Sequence, residues 1–119
     1  VTVIAAHGCS RGLLFGDAHF ETMARFARRY PKFYVDLSAL TLPNRAGMLF
    51  KLRRHPELFD RLLFGTDFPL PSMAWPLAAA GKFKDYREVR SAPSRFDRYA
   101  LLLEKLGIVI TTDFLQIKA

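Results

Sequence analysis

Three short apolar runs alternate with longer stretches whose apolar residues recur at three- and four-residue spacing. Val1 to Ala6 is apolar and partly β-branched, too short for a helix, and closes at Gly8, as a buried strand does. From Asp17, an N-cap candidate, Phe20, Met23, Ala24, Ala27 and Tyr30 fall on one helical face, and Pro31 ends the run. Phe33 to Leu37 reads as a second strand, with Ser38 to Leu42 as a loop. Pro43 suits the first turn of a second helix, which Ala46, Leu49, Phe50 and Leu52 continue until His55-Pro56 stops it. Arg61 to Gly65 reads as the third strand. Beyond Asp67, Pro69, Pro71 and Pro76 mark a long loop anchored by the Trp75 ring, followed by a polar stretch from Lys82 to Ser94. Phe96, Tyr99, Ala100, Leu103 and Leu106 then form the stripe of a terminal helix near residues 95–106, with Gly107 as its cap. Residues 108–119 follow neither period clearly.

Strand, helix, strand, helix, strand in this order requires parallel pairing with right-handed crossovers. The runs are apolar throughout rather than alternating, so the sheet expects cover on both faces. The class is therefore α/β, with strands near residues 1–6, 33–38 and 61–66. Three parallel strands alone leave two open edges. A complete eight-stranded barrel takes about 250 residues, so the 119 residues here read as a single partial domain, about three β/α units of a barrel or a subunit completed by another chain. The first residue is Val, not Met, which points to a natural gene product that starts further upstream.

Composition narrows the function classes. The chain is 50% apolar, enough for a core, and carries a net charge of +7. Its basic residues are spread over the expected helices rather than interleaved with aromatics in one block, which fits solvated helix faces and argues against a nucleic-acid partner. No stretch of 18 uncharged apolar residues occurs, so no membrane span is expected, and the strand-like N-terminus does not read as a signal peptide. The single cysteine, Cys9, excludes an internal disulfide and a cysteine zinc cluster, and the default compartment is cytoplasmic. The open edges leave room for a homo-oligomer.

The candidate chemistry sits at the strand ends. His7 follows an apolar strand and precedes a Gly, a position that sets an imidazole at the strand mouth to ligate metal or move protons; the alternative is a backbone-bonded strand cap. Asp67 closes Gly65-Thr66-Asp67 after apolar Leu62 to Phe64 and is read as a metal ligand or general base, against an Asx-turn. Asp36 lies mid-strand and reads as a structural hydrogen-bonder, while Ser38 at the strand end and Arg11 in the first loop are candidate substrate contacts. His19 and His55 read as surface residues. Gly8-Cys9-Ser10-Arg11-Gly12 also matches a nucleophile elbow, but no histidine follows the Asp67 site, and the helix starts too late for a sharp elbow. A Cys9–His7 pair lacks further partners.

Ile4-Ala5-Ala6-His7-Gly8, Phe33-Tyr34-Val35-Asp36-Leu37-Ser38-Ala39 and Leu63-Phe64-Gly65-Thr66-Asp67-Phe68-Pro69, in this order, resemble the amidohydrolase superfamily. Within it, the chain is most similar to the amidohydrolase-related (amidohydrolase 2) family of metal-dependent hydrolases and decarboxylases, over residues from about 1 to about 107, including Arg95 to Arg98 before the terminal helix. The resemblance implies the sixth, seventh and eighth strands of a (β/α)₈ TIM barrel. It implies that His7 ligates a second metal or positions substrate and water, the cofactor being a divalent metal, zinc. Asp67 would bind the metal and act as base while a metal-bound water attacks a C–N or C–O bond of a small-molecule substrate. The family's first-strand His-x-His pair and fifth-strand histidine have no match, so the remaining metal ligands lie outside this chain and the chain alone is expected to be inactive. A decarboxylase of the same family and a non-catalytic remnant are the alternatives.

Overall fold

The protein is described from a computed structural model covering residues 1–9 and 19–111. Three strands, β1 (Val3–Ala5), β2 (Phe33–Asp36) and β3 (Leu62–Leu63), form one parallel sheet in the order β1-β2-β3. The register pairs Ile4 with Tyr34, Val35 with both Ala5 and Leu62, and Asp36 with Leu63. Parallel neighbours require crossovers, and these are α1 (Phe20–Arg29) between β1 and β2 and α2 (Gly47–Leu52) between β2 and β3. The sheet is consistent with part of a barrel.

Helix α1 forms where the 3.6-residue stripe is clearest. Phe20, Met23, Ala24 and Ala27 are buried, Glu21 sits in its first turn, and Arg28 and Arg29 in its last, which matches the helix dipole. Its expected N-cap, Asp17, lies outside the described residues, and the helix starts at Phe20. Helix α2 is shorter than the pattern suggests. Residues 40–46 run in turns instead, with Arg45 and Ala46 amides both bonding back to Leu42 O. After α2, Pro56–Arg61 forms a 3₁₀ turn that leads straight into β3.

The stretch beyond Asp67 is more regular than its prolines suggest. Trp75–Ala79 forms α3, with Pro76 in the first turn, where a missing N–H costs nothing. The Trp75 indole N–H donates to Thr41 O at 2.7 Å, tying the loop after β3 to the loop after β2. The polar stretch contains a further helix, α4 (Phe83–Arg90), which buries Val89 and is joined to the last helix by Lys105 ion pairs to Asp85 (3.9 Å) and Glu88 (3.3 Å). The terminal helix α5 (Arg95–Lys105) is capped by Ser94, whose Oγ accepts from Asp97 N–H at 3.0 Å. Gly107 ends it at φ 79°, with Ile108 N–H returning to Leu103 O at 2.9 Å in a Schellman motif.

The core lies against one face of the sheet: Phe33, Val35, Leu37 and Leu62 pack with Met23, Leu49, Leu52, Leu77, Tyr99 and Leu102. The two sheet edges differ. On β1, Val3 and Ile4 are 47% and 46% exposed, and an apolar groove of about 530 Å³ runs between β1 and α1 past Phe26 and Tyr30. On β3, the edge is met by the chain after α5. Ile108 is buried, and Thr111 N–H donates to Leu62 O at 2.8 Å. No helix among the described residues is long and apolar enough to cross a membrane.

Candidate functional site

Parallel strands all point the same way, so β1, β2 and β3 deliver the residues that follow them to one end of the sheet. The backbone there departs from ordinary geometry. His7 (φ 52°), Cys9 (φ 62°), Ala39 (φ 60°) and Asp67 (φ 56°) are the described non-glycine residues at positive φ, and each lies just beyond a strand's C-terminal end. Such conformations are disfavoured for L-residues and gather where a side chain must be aimed; His and Asp are among the types that tolerate them best. His7 sits in a tight left-handed turn over Ala6–Cys9, with His7, Gly8 and Cys9 all at positive φ. Its neighbour Gly8 (φ 61°) is required on two counts, because a Cβ there would also lie 2.8 Å from Met48 Cγ.

The turn brings the imidazole across β2. His7 Nδ1 lies 2.9 Å from Ser38 Oγ and 3.1 Å from the Ser38 carbonyl oxygen. Ser38 in turn donates its hydroxyl to Asp36 Oδ2 at 2.7 Å and its amide to Asp36 Oδ1 at 2.9 Å. On its other side, His7 Nε2 stands 3.7 Å from Asp67 Oδ2, beyond ordinary hydrogen-bond length. The two side chains are 27% and 43% exposed, so both reach solvent at the strand mouth.

Asp67 is held from behind. Leu70 N–H closes a turn onto Asp67 O at 2.9 Å. Arg95, at the start of α5, donates to Pro69 O at 2.7 Å and lies over the Phe68 ring, which stacks on Phe96. The peptide between Phe68 and Pro69 is cis. The Arg95 segment thus braces the loop that carries the carboxylate.

The structure brings three of the four sequence-predicted site residues together: His7, Asp67 and Ser38. Arg11 lies outside the described residues, as does the elbow serine, Ser10. Cys9 is half-buried, and burial pushes its thiol up, away from thiolate chemistry. His55 bonds Glu57 at 3.0 Å, and His19 sits exposed ahead of α1. Two features escaped the sequence. One is the Asp36–Ser38–His7 chain of hydrogen bonds, and the other is Arg45, whose Nε and Nη1 are buried without a hydrogen-bond partner among the described residues.

A family model described as Amidohydrolase matches residues 11–104. The chain belongs to this amidohydrolase family. The matched segment contains Asp36, Ser38 and Asp67, and His7 precedes it. No curated protein and no solved structure matches the chain. The family is one of enzymes of the hydrolase type and generally uses divalent metals. The donor set fits part of such a metal's sphere. Two donors about 2.1 Å from one ion at a tetrahedral angle stand about 3.4 Å apart, near the 3.7 Å seen between His7 Nε2 and Asp67 Oδ2. A catalytic zinc takes three protein ligands, and no group of three or more His, Cys, Asp and Glu able to hold a metal occurs among the described residues.

Proposed function

We propose that the chain is the C-terminal portion of a metal-dependent hydrolase that cleaves a C–N or C–O bond in a small-molecule substrate, with Asp67 as the proton-transfer base and His7 beside it. The observation that carries this reading is the approach of His7 Nε2 to Asp67 Oδ2, 3.7 Å apart, at the C-terminal end of a parallel sheet, where such folds place their reacting groups. His7 and Asp67 are the residues that would hold the divalent ion, zinc by preference, together with ligands from outside this chain. A bound divalent ion supplies acidity, lowering the pKa of water toward about 7.

The residues here do the rest. Asp67, an exposed carboxylate on a braced turn, takes the proton from the attacking water and returns it to the leaving group. His7 faces the same space, where its Nε2 holds the ion or accepts from the attacking water. The Arg95 brace keeps Asp67 aimed while its loop carries solvent-exposed Phe68.

Two experiments test this. The upstream sequence is expected to hold an in-frame strand carrying His-x-His; an unrelated start would overturn the reading. In the active protein, Asp67→Asn is expected to lower turnover by about 10²–10⁴-fold while leaving the circular dichroism unchanged. Undiminished turnover in that folded variant would remove Asp67 from the chemistry.

A further inference from the structure

The hydrogen bonds behind His7 have a direction that can be worked out donor by donor. An ionised carboxylate only accepts, so both Asp36 oxygens must be met by donors. They are met by Ser38, whose amide goes to Oδ1 at 2.9 Å and whose hydroxyl goes to Oδ2 at 2.7 Å. A hydroxyl has one proton. With it committed to Asp36, Ser38 Oγ has only lone pairs to offer His7 Nδ1 at 2.9 Å. The Ser38 carbonyl oxygen, 3.1 Å from the same nitrogen, is likewise an acceptor. Both contacts therefore require Nδ1 to carry the hydrogen, and a neutral imidazole then leaves Nε2 bare.

The surroundings fix Asp36 in this duty. Gly65 at the end of β3 leaves the space that its carboxylate fills, since a Cβ there would lie 2.5 Å from Asp36 Oδ1. Tyr99 from α5 donates its buried hydroxyl to Leu37 O, the carbonyl between Asp36 and Ser38. Ser38 itself is 4% exposed. The unit is thus packed from β3 and α5, and among the described residues it passes on to His7.

We propose that Asp36 and Ser38 are positioning residues that hold His7 in the Nδ1–H tautomer, with the Nε2 lone pair directed at the space shared with Asp67. A bare Nε2 can ligate a cation or accept a proton; the opposite tautomer would point an N–H at the Asp67 carboxylate and spend both groups on each other. The role gives Ser38 a duty other than touching substrate. Its functional meaning rests on the reading of His7 and Asp67 as site residues, but the tautomer does not.

The test is ¹⁵N NMR of the histidine rings, recorded without metal at about pH 8.5, above the ordinary imidazole range near 6.5, with His7 assigned by the signals lost in His7→Gln. The wild-type chain is expected to show a pyrrole-like Nδ1 and a pyridine-like Nε2, favouring that tautomer about tenfold, the worth of one charge-assisted hydrogen bond. Asp36→Asn supplies an amide N–H to Ser38 Oγ and frees the serine proton to donate toward Nδ1, so the ratio is expected to fall toward unity. Adding Ser38→Ala to that variant removes the competing hydroxyl and is expected to restore Nδ1–H through the carbonyl alone. A pyridine-like Nδ1 in the wild type overturns the proposal without any variant, and so does an unchanged ratio in folded Asp36→Asn. Titrating Zn²⁺ into the full-length protein, which carries the remaining ligands, reports separately on the metal reading: silent Nε2 signals there would sink that reading and leave the tautomer result standing.

Discussion

Asp36 and Gly65 occupy one space: the carboxylate at the end of β2 stands where a side chain at the end of β3 would begin, 2.5 Å from a Cβ that Gly65 lacks. Gly65→Ala is therefore expected to cost about 1–3 kcal/mol of stability, read as a lowered denaturant midpoint. The penalty is expected to shrink by about 1 kcal/mol when Asp36→Ala is present, because the two changes share one contact. Equal penalties in both backgrounds would show that the carboxylate is not the obstacle.

Tyr99 is a buried phenol whose hydroxyl is raised by burial first and by the nearby Asp36 charge second, so it stays protonated and donates to Leu37 O. Tyr99→Phe leaves that carbonyl unpaired inside the core. The expected loss is about 1–3 kcal/mol, measured by chemical denaturation, with no change in the ring packing against Phe64.

Glu57 joins the turn before β3 to α1. Arg28 first, then its own backbone amide and His55, hold the Glu57 carboxyl down to about 2 from its usual 4.5. A depressed carboxylate stabilises above its unfolded value and loses that contribution as pH falls through the folded one. The stability gap between wild type and Glu57→Gln is thus expected to be full above pH 4.5 and to close as pH falls toward 2. Its exposed position keeps the gap small and salt-sensitive. A gap that persists at the acid end would show a packing effect instead of a charge effect.

Arg45 buries Nε and Nη1 with no hydrogen-bond partner among the described residues. Arg45→Met keeps the aliphatic stem and removes the unpaired donors, and is expected to raise stability by about 1 kcal/mol or more, or about 4 °C in Tm. A lower Tm would show that the guanidinium is satisfied.

The strand ends were legible because a parallel sheet gathers whatever follows its strands, so an apolar run closed by Gly and one ionisable residue already marks His7 and Asp67. What joins them was not. Asp36 reads in sequence as one polar residue in an apolar strand, and nothing local says that Ser38 will turn its hydroxyl back to it or that His7 will cross β2 to meet both. Helix α4 was passed over as polar because only Val89 needs burial, and ion pairs to Lys105 hold much of the rest. The end of residues 108–111 against β3 was equally hidden, since Ile108 finds its place only once α5 has turned at Gly107.

The left-handed backbone at His7 and Asp67 sets the two side chains proposed as site residues at odds with the chain's own folding. Glycine at either position relieves a conformation that costs an L-residue about 1 kcal/mol or more. A mutational survey scored by cellular abundance would then rank Asp67→Gly as neutral or improved, with the gain at His7→Gly offset by its lost bonds to Ser38, while one scored by chemistry would rank both as dead. Where those two rankings diverge most, the residues being kept for what they do, rather than for how they fold, stand out from the rest of the strand ends.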